Sequence, residues 1–164
     1  MYDVIIIGAG PAGVSAAVYA KRGALNVLVI AKDTGTLEKA KKIENYYGFK
    51  SITGEELYRN GLEQLKHLNI ELVKDEVVQL NYTKKFEVTT VNNVFESKYV
   101  VLATGVSRNV PNIRGIKEFE GKGVSYCAIC DAFFYRNKNV AVLGSGNYAI
   151  HEAEILKPVA KSVT

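Results

Sequence analysis

The sequence predicts an α/β protein built on nucleotide-binding β-α-β units, and three observations predict it. Val4 to Ile7, all apolar and β-branched, runs straight into Gly8-Ala9-Gly10-Pro11-Ala12-Gly13. An Ala-rich segment with helical character follows and ends at Gly23, a natural stop for a helix. The same order returns later: Val140 to Leu143, then Gly144-x-Gly146-x-x-Ala149, then a helical pattern.

Val4 to Ile7 has the continuous apolar character of a strand buried on both faces. Val14 to Arg22 is the crossover helix, and Val27 to Ile30 is a second buried strand. Ala31 to Phe49 reads as a polar connection with weak helical character over Leu37 to Lys42. Thr53-Gly-Glu-Glu56 is a capping box opening a helix with Leu57, Leu62, Leu65 and Leu68 toward a core. Ile70 to Leu80, Lys85 to Val91 and Val94 to Ala103 read as three strands, with a hairpin turn at Asn92-Asn93. Pro111 to Gly123 is irregular and suits a linker. Val140 to Leu143 is a third buried strand, its helix stops before Pro158, and Ser162 to Thr164 starts another strand.

The chain has 164 residues, enough for one domain or for one domain and part of a second. It is 48% hydrophobic and 23% charged, as soluble globular proteins are. Net charge is +4 with the Lys and Arg residues scattered, which disfavours a nucleic-acid partner. No apolar stretch approaches the ~20 residues of a membrane span. Met1-Tyr2-Asp3 has no basic leader, so the expected location is the cytoplasm.

Gly8, Gly10 and Gly13 stand where a dinucleotide fingerprint needs them. The first permits a tight turn, the second lets backbone approach a pyrophosphate, and the third lets helix and strand pack closely. The acidic residue that binds a ribose in NAD sites is replaced here by Ala31, with Lys32 and Asp33 after it. That weakens NAD at this first loop and leaves FAD open.

The two cysteines are Cys127 and Cys130, spaced C-x-x-C. In a cytosolic protein this pair is redox-active or metal-binding rather than a structural staple. Zinc is poorly supplied, because the only histidines are His67 and His151. Two buried thiols remain a third reading. A redox pair works through a thiolate and a mixed disulfide, and Asp131 directly after Cys130 is placed to shuttle the proton. A thioredoxin-type domain carries its pair near its start, whereas this pair follows a complete nucleotide-binding unit.

Taken together, Gly8-Ala-Gly-Pro-Ala-Gly13, Ile43-Glu-Asn-Tyr46, Ala103-Thr-Gly105, Gly123-Val-Ser-Tyr-Cys-Ala-Ile-Cys-Asp131 with Phe133-Phe-Tyr-Arg-Asn137, and Val140-Ala-Val-Leu-Gly-Ser-Gly-Asn147 resemble the low-molecular-weight, bacterial-type thioredoxin reductases. The resemblance implies an FAD-binding Rossmann-like domain of three layers (ββα) with an inserted β-meander over 1–110. The start of an NAD(P)-binding-like domain would occupy 111–164. It implies FAD contacts from Gly8, Gly10, Pro11, Ala12 and Gly13, from Ala31, Lys32 and Leu37, and from Asn45 and Val77. The Ala103-Thr104-Gly105 turn would lie beside them. NADPH would be held by Gly144, Gly146, Asn147 and Ala149. Cys130 would face the flavin, Cys127 would attack thioredoxin and Asp131 would be the acid–base partner. The intact protein would be a homodimer in which the second domain rotates.

Three departures matter. The family's FAD domain is completed by a later Gly-Asp segment not found here, which implies a fragment or a nicked chain that alone holds FAD weakly. Thr34-Gly-Thr-Leu37 stands for the family's Gly-Gly-Gln-Leu. Tyr148 stands where a small hydroxyl residue is usual, and His151 where an acid is usual. A ring in the first helical turn would crowd a pyrophosphate, so a subgroup that takes electrons from ferredoxin and has lost nucleotide binding is the alternative. Further rivals are a peroxide-reducing relative and a non-catalytic, flavin-binding redox sensor.

Overall fold

The structure, a computed structural model, describes residues 1–106 and 110–164. The chain separates into two compact units, Met1–Ser107 and Arg108–Thr164.

The first unit runs β1 (Tyr2–Ile7), α1 (Pro11–Arg22), β2 (Val27–Ala31), α2 (Gly54–His67), β3 (Glu71–Lys74), β4 (Val77–Tyr82), β5 (Phe86–Thr90) and β6 (Val94–Leu102). Its strands form one six-stranded sheet in the order β3-β2-β1-β6-β5-β4. The β3, β2, β1 and β6 pairings are parallel, and β6, β5 and β4 form an antiparallel meander.

The apolar runs of β1 and β2 are explained by cover on both faces. Val4, Ile6, Val27 and Val29 turn one way and pack with Val14 and Ala17 of α1 and Leu65 of α2. Ile5, Ile7, Leu28 and Ile30 turn the other way and are covered by Val88 of β5, with Val77 and Phe95 beside it. Adjacent strand residues point to opposite faces, so one run feeds both cores. Helices therefore cover one face of the parallel sheet and the meander covers the other, the three-layer ββα arrangement.

α1 starts at Pro11, whose missing N–H costs nothing in a first turn. It stops where the Gly23 N–H donates to Tyr19 O at 3.0 Å. α2 starts at the expected box: Thr53 Oγ1 accepts the Glu56 N–H at 3.1 Å. Leu65 is fully buried, and Leu62 and Leu68 pack beside it.

Two features of this unit differ from expectation. The run Ile70 to Leu80 is two strands, broken at Asp75-Glu76. The buried Asp75 carboxylate accepts from the Glu76 N–H (2.8 Å), the Asn92 N–H (3.2 Å) and Asn92 Nδ2 (3.1 Å). Those bonds tie the break to the Asn92-Asn93 hairpin, which forms as expected, with the Thr90 N–H donating to Asn93 O at 2.8 Å. The helical tendency at Leu37 to Lys42 shortens to a 3-10 turn, Leu37–Lys39, because Ala40 is already extended. Ile43 and Ile52 then bridge antiparallel.

The second unit holds α3 (Ala128–Asp131), a 3-10 turn at Ala132–Tyr135, β7 (Asn139–Val140), α4 (Asn147–Leu156) and β8 (Ser162–Val163). β7 and β8 pair in parallel, and Ala128, Ala132 and Leu156 form a small core with Val142, Ile155 and Val163. The expected buried strand over Val140 to Leu143 is corrected: β7 is short, and Leu143 is 73% exposed. Val142 turns inward while its neighbours turn out, since this two-stranded sheet is packed on one face. Among the described residues no helix is long and apolar enough to cross a membrane.

Candidate active site

The first glycine loop leaves the carboxyl end of β1. Gly8 has φ +114°, which L side chains rarely adopt, and a Cβ there would lie 2.2 Å from Ala103 O. A Cβ on Gly13 would lie 1.9 Å from Gly8 O, so α1 starts directly against the strand end. At Gly10 a Cβ would meet nothing within 4 Å. Gly10 is also the N-cap of α1 and carries no capping side chain. The open space over Gly10 therefore faces the unpaired N–H groups of a helix start. That combination fits the pyrophosphate of a dinucleotide.

Parallel pairing gathers the other predicted contacts at the same edge. Ala103-Thr104-Gly105 follows β6, with the Ala103 N–H donating to Ile7 O at 2.8 Å. Ala31 ends β2, and Lys32 after it pairs with Glu76 at 3.0 Å. The hydrogen bond that Lys32 donates to Glu76 holds its ammonium above its ordinary range, though both groups are more than half exposed and the pair adds little stability. A cleft of about 330 Å³ opens beside the loop, lined by Gly10, Pro11, Leu37, Tyr46 and Phe49 and by Tyr58, Asn60 and Gln64 of α2. Burial first, then the Glu38 and Asp33 carboxylates, push the Tyr58 phenol up.

Of the predicted contacts, Gly10, Pro11 and Leu37 line this cleft, and Val77 and Asn45 lie apart from it. Val77 packs its side chain into the core beneath the meander. Asn45 is exposed in the turn next to Tyr46.

In the second unit Cys127 and Cys130 form a disulfide, their Cα atoms 5.3 Å apart. Cys127 is half-buried and Cys130 exposed. The single turn of α3 sets the spacing, with the Asp131 N–H donating to Cys127 O at 3.1 Å. Ser125 joins Asp131 to the start of the cysteine turn. Its hydroxyl donates to Asp131 Oδ2 at 2.6 Å and accepts the Cys127 N–H at 3.2 Å. Burial, then the charge of Asp131, pushes the Tyr135 phenol up.

The second glycine loop repeats the close packing of the first. A Cβ on Gly144 would lie 2.7 Å from the Ala149 Cβ, and at Gly146 it would meet nothing within 4 Å. Gly146 is the N-cap of α4 without a capping side chain, and Asn147 is the first helical residue. The Tyr148 hydroxyl donates to Tyr126 O at 3.1 Å, so this ring is turned toward the redox segment. Glu152, one turn later, accepts the Ala128 N–H.

The chain thus carries a dinucleotide-type α/β fold and a C-x-x-C disulfide with an adjacent carboxylate. A sequence model of the pyridine nucleotide-disulphide oxidoreductase family matches residues 2–164, and the chain belongs to that family. It is 46% identical over 168 residues to the thioredoxin reductase of Ureaplasma parvum, covering 99% of this chain and 54% of that protein. With the thioredoxin reductase of Bacillus subtilis the identity is 37% over 167 residues, covering 100% and 53%. The crystal structure of thioredoxin reductase from Streptococcus pyogenes superposes with a TM-score of 0.90 at 38% identity, covering 99% of this chain and 54% of that one. The chain thus spans about half the length of the curated relatives it matches.

Sequence reasoning missed Ser125, Glu152 and the role of the Tyr148 hydroxyl. Ser125 was within sight, two residues before Cys127. Glu152 was not, because nothing in local spacing joins it to Ala128, 24 residues earlier.

Proposed function

We propose that the intact protein is a flavin-dependent disulfide reductase that carries electrons from NADPH through FAD and the Cys127–Cys130 pair to thioredoxin. One observation carries this reading: a disulfide backed by a Ser125-held Asp131, in a chain with two dinucleotide-type glycine loops. The relatives' names support thioredoxin as the partner.

Gly8, Gly10 and Gly13 with the start of α1 hold the FAD pyrophosphate, and Gly144, Gly146, Asn147 and Ala149 do the same for NADPH. When bound, FAD supplies two-electron transfer between a nicotinamide and a disulfide. The Cys127–Cys130 bond breaks on taking up two electrons and one proton, leaving a thiol and a thiolate. The Cys127 thiolate then attacks the thioredoxin disulfide and forms a mixed disulfide. Cys130 attacks the Cys127 sulfur, restores the S–S bond and releases reduced thioredoxin. Asp131 accepts the Cys130 proton and passes it to the departing thiolate. Residues 1–110 serve as the FAD domain and 111–164 open the pyridine-nucleotide domain. β6 pairs β5 only through Ser97, which leaves Tyr99 and Leu102 exposed along one edge. In this reading, further chain of the whole protein covers that edge and completes the homodimer's FAD domain in the cytoplasm.

The test is anaerobic. NADPH is added to the intact, FAD-loaded protein and the flavin's visible absorbance is followed. Rapid bleaching is expected, followed by thioredoxin reduction that Cys127→Ser abolishes without loss of flavin. A flavin that dithionite bleaches but NADPH and NADH do not overturns the donor assignment in favour of ferredoxin. Bleaching with no thioredoxin turnover leaves a redox sensor instead.

A further inference from the structure

Cys127 sits between two backbone groups that α4 grips. Tyr148 Oη donates to Tyr126 O at 3.1 Å, and the Glu152 carboxylate accepts the Ala128 N–H. Tyr148 and Glu152 are four residues apart on one helix, so both side chains lie on the same face. The peptides before and after the half-buried Cys127 are thereby fixed to one rigid element.

The two grips differ in charge. Tyr148 offers a neutral hydroxyl that spans an exposed gap. Glu152 brings a carboxylate to the first N–H of the turn that carries Cys130. An N–H at the start of a helical turn is the group that stabilises a neighbouring thiolate. Here a carboxylate takes up that N–H on the peptide that follows Cys127, and a negative charge at that turn disfavours an ionised sulfur there. Asp131 adds a second carboxylate at the other end of the same turn, held by Ser125. A disulfide carries no charge, whereas its reduced form carries thiolate, so the carboxylate weighs against reduction.

We propose that Glu152 is a positioning residue that fixes the Cys127 peptide and, through its charge, sets the redox poise of the Cys127–Cys130 pair toward a strongly reducing dithiol. This rests on the reading of the pair as an electron carrier, but its test needs neither NADPH nor thioredoxin.

The experiment equilibrates the full-length protein with reduced and oxidised glutathione at one pH. In this reaction the disulfide and two glutathione thiols become one protein thiol, one protein thiolate and one glutathione disulfide, with two electrons and one proton taken up by the pair and one proton released to solvent. The ratio is read by alkylation and the mass of the Cys127–Cys130 peptide. Glu152→Gln keeps an acceptor oxygen at the Ala128 N–H and removes the charge. It is expected to raise the equilibrium constant for reduction by roughly tenfold, from the loss of one nearby unit charge. For a two-electron couple that is a shift of about 30 mV toward a more oxidising potential. Glu152→Asp keeps the charge and is expected to stay within about threefold of the parent, which is half of the tenfold effect on the free-energy scale. A Glu152→Gln constant equal to the parent's, or an equal shift in both variants, overturns the proposal. Glutathione poise that responds as expected in a protein without thioredoxin turnover would sink the functional reading and leave this one standing.

Discussion

Gly10 and Gly13 stand three residues apart in one loop, and the structure separates their tasks. An Ala methyl at Gly13 would lie 1.9 Å from Gly8 O, which is backbone and cannot turn aside. α1 must move off β1, and Val14 and Ala17 leave the core with it. Such overpacking costs about 1–3 kcal/mol or more. At Gly10 the methyl meets nothing within 4 Å, and φ is −71°, which Ala adopts readily. Ala is a poorer N-cap than Gly by roughly 0.5–1 kcal/mol, while the loss of unfolded-chain freedom returns about 0.4–1. Gly10→Ala should therefore keep the parent's stability within about 0.5 kcal/mol, the balance of those two effects. The same methyl occupies the space a pyrophosphate needs, so FAD affinity should fall roughly 10- to 100-fold, taking 1.4 kcal/mol per factor of ten. Urea unfolding of the apoprotein and FAD titration by fluorescence, both on the full-length chain, separate the two effects. The reasoning is refuted if Gly10→Ala binds FAD like the parent. It is equally refuted if Gly10→Ala unfolds at as low a urea concentration as Gly13→Ala.

Two further predictions concern the fold. Leu65→Ala should cost about 2–5 kcal/mol in the urea transition, because Leu65 is 1% exposed between α2 and the sheet and its removal leaves a cavity. Asp75 is held below the ordinary carboxylate range, first by the Thr90 hydroxyl, against the opposing effect of burial, and then by Glu76 and Asn92. A carboxylate with a lowered folded pKa stabilises fully above its unfolded value, near ~3.9, and loses that contribution as pH falls through the folded value. The parent's urea midpoint should thus drop below about pH 4, the unfolded carboxylate range, and Asp75→Asn should flatten that limb. An acid limb equally steep in Asp75→Asn would show that other carboxylates control it.

Much of the architecture was legible in local pattern. Continuous apolar runs marked β1 and β2, Thr53-Gly-Glu-Glu56 marked the start of α2, and two asparagines marked the β5–β6 turn. These signals act between residues close in sequence, where steric and hydrogen-bond preferences are decided. The break at Asp75 was illegible because its partners lie 17 residues on, at Asn92. Val140 to Leu143 misled for a related reason: apolar character says that a residue can be buried, not that both sheet faces are covered.

The sequence by itself determined β1, α1, β2 and the start of α2, both glycine loops and the spacing of Cys127 and Cys130, and its motifs carried the family resemblance. The elements, the loops and the spacing follow from short-range geometry, where a glycine, a cap or a two-residue spacer acts on its immediate neighbours. Only the tertiary structure decided which groups surround the disulfide. Tyr148 and Glu152 reach Tyr126 O and the Ala128 N–H because packing folds α4 back onto the redox turn. Hydrogen bonds across such separations depend on where the chain returns, and that is settled by burying Ala128, Ala132 and Leu156 together rather than by any local preference.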